Sequence, residues 1–166
     1  MSPRADLVAT VGAALGCGLI GGAFFAFSSF VMGALGRLTP AEGIRAMQAI
    51  NVVVINPVFL AAFLGTAAVC VVLAGISIRS WSEPGSALRL AACLLYLVGT
   101  IGVTFACNVP RNDALATLSP DATDAAAAWA RYLADWTAWN HVRTLAAAAG
   151  SVLLIAAQLV AGRAAR

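Results

Sequence analysis

The chain contains no lysine, a single histidine and only seven acidic residues among 166. Charged side chains make up 10% of it, against about 25% in an ordinary soluble chain. With 61% hydrophobic residues and a mean hydropathy of +0.91, this scarcity of charge excludes a soluble globular domain. One histidine cannot supply a paired-histidine or Glu-x-x-His centre, and H-E-x-x-H does not occur, so no metal site is expected. Cys17, Cys70, Cys93 and Cys107 form no Cys-x-x-Cys pair and read as small apolar side chains. A phosphate-cradling glycine loop, a nucleophile elbow and a dinucleotide fingerprint are all missing. The polar residues present do not suit hydride transfer or metal hydrolysis. The ten arginines give a net charge of +3 but stand scattered at segment ends, so a nucleic-acid partner is not expected.

What the chain has is long uncharged runs, Leu7–Gly36, Gln48–Ile78, Leu90–Pro110 and Thr144–Gly162. Each approaches or exceeds the roughly 20 residues a helix needs to cross hydrocarbon. The expected fold is all-α: one domain over 1–166, an integral membrane four-helix bundle whose partner is the lipid bilayer. Its spans are expected at about 7–33, 54–78, 88–108 and 140–162, with 109–138 outside the membrane. A short interfacial helix is predicted before helix 2 and another before helix 4. The first starts at Thr39-Pro40-Ala41-Glu42, with Thr as N-cap, Pro at the first position and Glu at the third. Asn56-Pro57 marks a bend or a fresh start. Gly12-x-x-x-Gly16 and Gly18-x-x-x-Gly22 suit close helix packing, and through this glycine-rich helix a homo-oligomer is an open expectation. Arginine without lysine, beside abundant Ala and Gly, reads as GC-rich bacterial coding, hence a bacterial cytoplasmic (inner) membrane. The arginine count of the two sides ties, and cytoplasmic termini are the expected topology.

Polar residues inside apolar segments need partners and mark function. Tyr96, Thr100, Thr104 and Asn108 recur every four residues and share one slowly drifting helix face, which reads as a cavity wall continuing to Arg111 and Asn112. Gln48, Asn51 and Asn56 are amides at membrane depth. Phe24, Phe27 and Phe30 suit the wall of an aromatic pocket. The densest cluster is Tyr132 to Arg143. On a helix, Asp135, Trp139 and Arg143 are four apart, and Trp136, Asn140 and Arg143 are four and three apart, so both sets converge on Arg143. His141 lies one position off that face, with an unperturbed pKa well placed for a general base. This kit suits proton abstraction and oxyanion stabilisation.

The set Met47-Gln48-x-x-Asn51, Asn108-Val109-Pro110-x-Asn112 and Trp136-x-x-Trp139-Asn140-x-x-Arg143, on four apolar helices, resembles the anthrone oxygenase-like family, from Gly22 to Leu154. The resemblance implies a small membrane protein of a family whose members with known activity oxidise polycyclic anthrones to anthraquinones with O2, in polyketide pathways and without a known metal or flavin. On that reading the co-substrate is O2 and the partner a hydrophobic aromatic small molecule. His141, or Asp135 if buried, would remove the methylene proton. Arg143, Asn140 and Asn108 would hold the resulting anion. Trp136, Trp139, Phe24, Phe27, Asn112, Gln48, Asn51, Tyr96 and Thr104 would surround the rings. Two other readings stay open: a non-enzymatic membrane subunit or lipophile carrier using the same pocket, and a redox protein dependent on haem or quinone.

Overall fold

A computed structural model describes residues 2–164. Backbone amides in hydrocarbon have no water to bond, so a chain this apolar satisfies them within helices. The order is α1 (Pro3–Ala26), a π-helical stretch Phe27–Val31, α2 (Met32–Leu35), α3 (Pro40–Val53), α4 (Pro57–Arg79) and α5 (Ser86–Leu94). Two further π-helical stretches, Leu95–Gly102 and Thr104–Asn108, lead into α6 (Val109–Thr117), and α7 (Ala125–Ala164) closes the chain. Joined through their π stretches, these elements form four rods long and apolar enough to span a membrane: Arg4–Leu35, Pro57–Arg79, Ser86–Thr117 and Ala125–Ala164. The protein is an all-α integral membrane bundle.

The third and fourth rods extend beyond the apolar runs. Pro110 falls at the first turn of α6 and does not end the third rod. The helix expected to lie separately before the fourth span is instead the opening of α7. Its sequence from Ala125 to Ala149 contains neither Gly nor Pro and is rich in alanine, so nothing interrupts it. That continuity fixes the rotational phase of Trp129 to Arg143.

α3 is the interfacial helix before the second span, and its start is a capping box. The Thr39 amide and hydroxyl both donate to Glu42 Oε2, at 3.1 and 2.6 Å, and the Glu42 amide donates back to Thr39 Oγ1 at 3.4 Å. Those bonds hold the exposed Glu42 carboxyl below its ordinary pKa. A depressed carboxylate contributes stability above its unfolded pKa and loses it as pH falls through the folded value. Amide protection in the first turn of α3, followed by hydrogen exchange, is expected to drop as pH falls through that lowered value. Glu42→Gln is expected to remove that pH dependence.

α3 lies as a roof across one end of the bundle. Gly43 sits on the buried Trp129 ring, where an added Cβ would come within 2.6 Å of it. Gln48 Nε2 donates to the carbonyls of Leu115 and Leu118 at 2.9 and 3.0 Å, tying the roof to the end of α6. Asn56 begins α4 as its N-cap, its Oδ1 accepting from the Phe59 amide at 3.0 Å. On α1, Gly16 meets Thr66 and Gly21 meets Ala147 within the chain, while Gly12 and Gly22 have no protein atom against them.

The core has two parts. Near the termini, Cys17, Ile20, Phe63, Cys70, Leu73, Tyr96 and Leu154 pack together. Under the roof, Met32, Ile44, Met47, Leu115, Trp129, Tyr132 and Trp136 form the other cluster. Near the terminal end a buried arginine is fully compensated: Arg89 Nε donates to Ser77 Oγ at 2.8 Å and Nη1 pairs with Asp6 at 2.6 Å. A cavity lies on the seam between the two clusters.

Candidate active site

The cavity holds about 250 Å³ and is walled by aromatic rings from all four spans. Phe24 and Phe27 come from the first, Phe59 and Phe63 from the second, Phe105 from the third and Trp136 from the fourth. Phe59 and Phe63, one helical turn apart, stack with centroids at 5.7 Å, and Phe24 meets Phe63 edge-on at 6.3 Å. Met47 and Ile50 close the roof side, and Val54 and Ile55 stand at the corner between α3 and α4. The polar groups reaching the cavity are Asn51, Thr104, Asn112 and Arg143. Its volume lies just below the usual range for small-molecule sites, roughly 300 to 1,000 Å³, so it suits a compact fused-ring ligand.

Arg143 is the centre of the site. It is 4% exposed, and its guanidinium lies 4.1 Å from the Phe24 ring centroid and 5.0 Å from that of Trp136. Nη2 donates to Asn140 Oδ1 at 2.6 Å and Nη1 to Thr104 Oγ1 at 3.3 Å. Nε–H has no acceptor. Among the described residues no carboxylate lies within ion-pair distance of it. Two ring faces and two neutral acceptors hold this cation, where Arg89 has an acid. Removing a charge from water costs several kcal/mol even after relaxation, and cation–π contact returns about 2 kcal/mol when desolvated. The cation is therefore left with unspent affinity for an anion.

The surrounding groups set its geometry. Asn140, fully buried, donates to the Phe24 carbonyl and to Ser28 Oγ, both at 2.7 Å, which fixes its oxygen toward Arg143. Asn108 Nδ2 donates to the Trp136 carbonyl at 3.1 Å, and its oxygen is buried without a donor. Asn112 Oδ1 accepts from Tyr132 Oη at 2.9 Å and Trp136 Nε1 at 2.8 Å. Its oxygen is thus engaged on the roof side, and its amide N–H groups remain as donors at the cavity.

The structure thus brings Arg143, Trp136, Asn112, Asn51, Phe24, Phe27 and Thr104 together around one space, with Asn140 and Asn108 directly behind them. Five predicted residues stand elsewhere. His141 is exposed on the opposite face of α7, beside Ser28, Met32, Arg37 and Thr137 in a surface groove. Trp139 points outward at 37% exposure. Of the two helical sets meeting at Arg143, the inward one is Trp136–Asn140–Arg143. Asp135 is likewise exposed, in a cleft with Arg111 and Arg131. Gln48 spends its amide on α6, and Tyr96 is buried in the core with its hydroxyl on the Phe63 carbonyl at 3.0 Å.

Sequence reasoning passed over Phe59, Phe63 and Phe105. The signal for the first pair was the Asn56-Pro57 helix start followed by phenylalanines at a four-residue spacing. For Phe105 none existed, since one aromatic residue in an apolar span has no preferred face.

A family model described as anthrone oxygenase matches residues 53–153. No curated protein and no solved structure matches the chain. The matched stretch carries Phe59, Phe63, Thr104, Asn112, Trp136 and Arg143 and covers more than half of the sequence; the chain belongs to the anthrone oxygenase family.

Proposed function

We propose that the protein is a membrane-embedded oxygenase that uses no bound redox cofactor and converts an anthrone-type ring system to a quinone with O2. The observation that carries this reading is Arg143: a buried cation without a counter-ion, set between two aromatic rings at a ring-lined cavity. Such a site favours a flat apolar molecule that acquires a negative oxygen. An anthrone does so when its methylene loses a proton and the charge moves to the carbonyl oxygen. Stabilising that oxyanion in a dry, preorganised site lowers the barrier to ionisation. The carbanion is electron-rich enough to reduce O2 directly. Oxygen joins the former methylene carbon as a hydroperoxide, water leaves, and a second carbonyl remains. One O2 is consumed, with one of its atoms in the quinone and one in water.

In this reading the protein acts chiefly by charge. Among the described residues no carboxylate or imidazole lines the cavity, so a water molecule at the polar end marked by Asn51 and Asn112 takes the methylene proton, which returns to the peroxide oxygen as the hydroperoxide forms. Trp136, Phe24 and Phe63 hold the ring plane, and Asn140 aims the guanidinium.

The test is oxygen uptake by purified protein supplied with an anthrone and no added cofactor. Quinone formation equal to O2 consumed is expected, with no hydrogen peroxide accumulating and an optical spectrum lacking a Soret band. Uptake no faster than without protein, while the anthrone stays bound, would leave a lipophile-binding protein and end the oxygenase reading.

A further inference from the structure

The cavity is closed toward its roof and open at its side. On the roof, Gln48 holds α3 to α6 through two hydrogen bonds, and Gly43 sits directly on Trp129. Along the side, α4 packs against α5 and the π stretch Leu95–Gly102 but hardly touches Thr104–Asn108. The gap runs between the corner that joins α3 to α4, with Val54 and Ile55, and the stretch carrying Phe105 and Val109. Two of its lining side chains are large, apolar and exposed, Ile55 at 69% and Phe105 at 58%. Around them Val52, Val53 and Val58 are also exposed. Val58 and Phe105 lie on membrane spans, where exposed apolar surface suits lipid, and Val52, Val53 and Ile55 carry that surface on into the corner before the second span.

We propose that ligand enters from the hydrocarbon phase through the gap rimmed by Ile55 and Phe105, and that these two side chains set the width of ring system admitted. The inference rests on the reading of the cavity as an aromatic-ligand site, but its test does not need turnover. A molecule of fused rings partitions into the bilayer, so a side entrance meets it where it is concentrated. Entry through the roof would require it to cross water and displace α3. The side route also keeps water from the uncompensated charge of Arg143.

Two measurements on the full chain test it. A nitroxide on Ile55→Cys, in a Cys107→Ser background and reconstituted in phosphatidylcholine vesicles, reports what surrounds the rim. Relaxation by O2 is expected to exceed relaxation by a water-soluble nickel chelate, and the reverse order overturns the proposal. Second, anthracene and naphthalene retained by the purified protein are quantified by absorbance. Ile55→Phe, which narrows the rim, is expected to cut anthracene retention about tenfold and leave naphthalene retention near wild type. Phe105→Ala is expected to admit a four-ring hydrocarbon that wild type excludes. Equal effects on both ring sizes, or none, overturn the assignment of these residues. If neither variant nor wild type retains any ring compound, the cavity reading itself fails, whatever the nitroxide shows.

Discussion

Arg143→Met is expected to lower turnover about 10²- to 10³-fold, the usual cost of removing one preorganised oxyanion donor, while the melting temperature holds or rises. The two halves of this expectation have one cause. Arg143 is buried with no acid beside it, an unpartnered Nε–H and only Asn140 and Thr104 as acceptors. An apolar chain of similar length keeps the contact with Phe24 and Trp136 and removes the buried charge. Replacing buried charge by well-packed apolar groups is often neutral or stabilising. Arg143→Lys is expected to recover turnover only in part, because an ammonium cannot keep both hydrogen bonds and lie flat between two rings. Thr104→Asp supplies the opposite control: it leaves the cation but gives it a counter-ion at the Nη1 position. It is expected to lose turnover almost as fully as the methionine variant. Turnover and melting temperature of the three proteins in the same detergent decide the matter. Full turnover in either Arg143→Met or Thr104→Asp would sink the electrostatic assignment.

Gly85→Ala is expected to destabilise the fold by about 2–4 kcal/mol, combining left-handed strain with forced overlap. Gly85 is the residue before α5 and carries φ +88°, the sole positive φ among the described residues. A Cβ there would also stand 2.5 Å from the Ala157 carbonyl oxygen and 3.2 Å from its carbon, both backbone atoms of α7. Backbone cannot swing aside as a side chain does, so the start of α5 must move away from α7. Ser86 and Arg89, whose bonds gather α4 and the first turn of α1, move with it. A lower thermal midpoint of the purified protein is the measurement. Gly75→Ala is the control, since an added methyl there meets nothing within 4 Å. It is expected to be neutral or slightly stabilising, as alanine is the better helix former.

How far the sequence foretold this arrangement depended on whether a residue carried a polar or a backbone signal. Thr39-Pro40-Ala41-Glu42 specified a capping box by chemistry alone, and the box formed. Arg143 stood out because two helical spacings met on it, and the structure gives its guanidinium two hydrogen bonds and two ring contacts at the cavity. Choosing between those spacings required the phase of α7, which is set by packing of Trp129, Tyr132 and Trp136 under α3. His141 and Trp139 fell on the wrong side of that phase. The second span hid its cavity face for a different reason. Lipid and core are equally apolar, so inward and outward positions show no hydropathy contrast. Phe59 and Phe63 differ from Leu64 in what they touch, and composition cannot record that.

The π-helical stretches of the third span have a consequence for register. A π turn contains one residue more than the α turn it replaces. In an α-helix a four-residue repeat drifts by about 40° per step, since each residue turns roughly 100°. The wider turns across Leu95–Gly102 and Thr104–Asn108 counter that drift. They let Thr100, Thr104 and Asn108 all reach α7, at the Arg143 carbonyl, the Arg143 guanidinium and the Trp136 carbonyl. Deleting a single residue from either stretch would leave the span apolar and helical. It would also return that stretch to α geometry and restore the drift of about 40° per four residues, so that Thr100, Thr104 and Asn108 no longer all reach α7. In this helix, length is therefore as much a determinant of the site as residue identity.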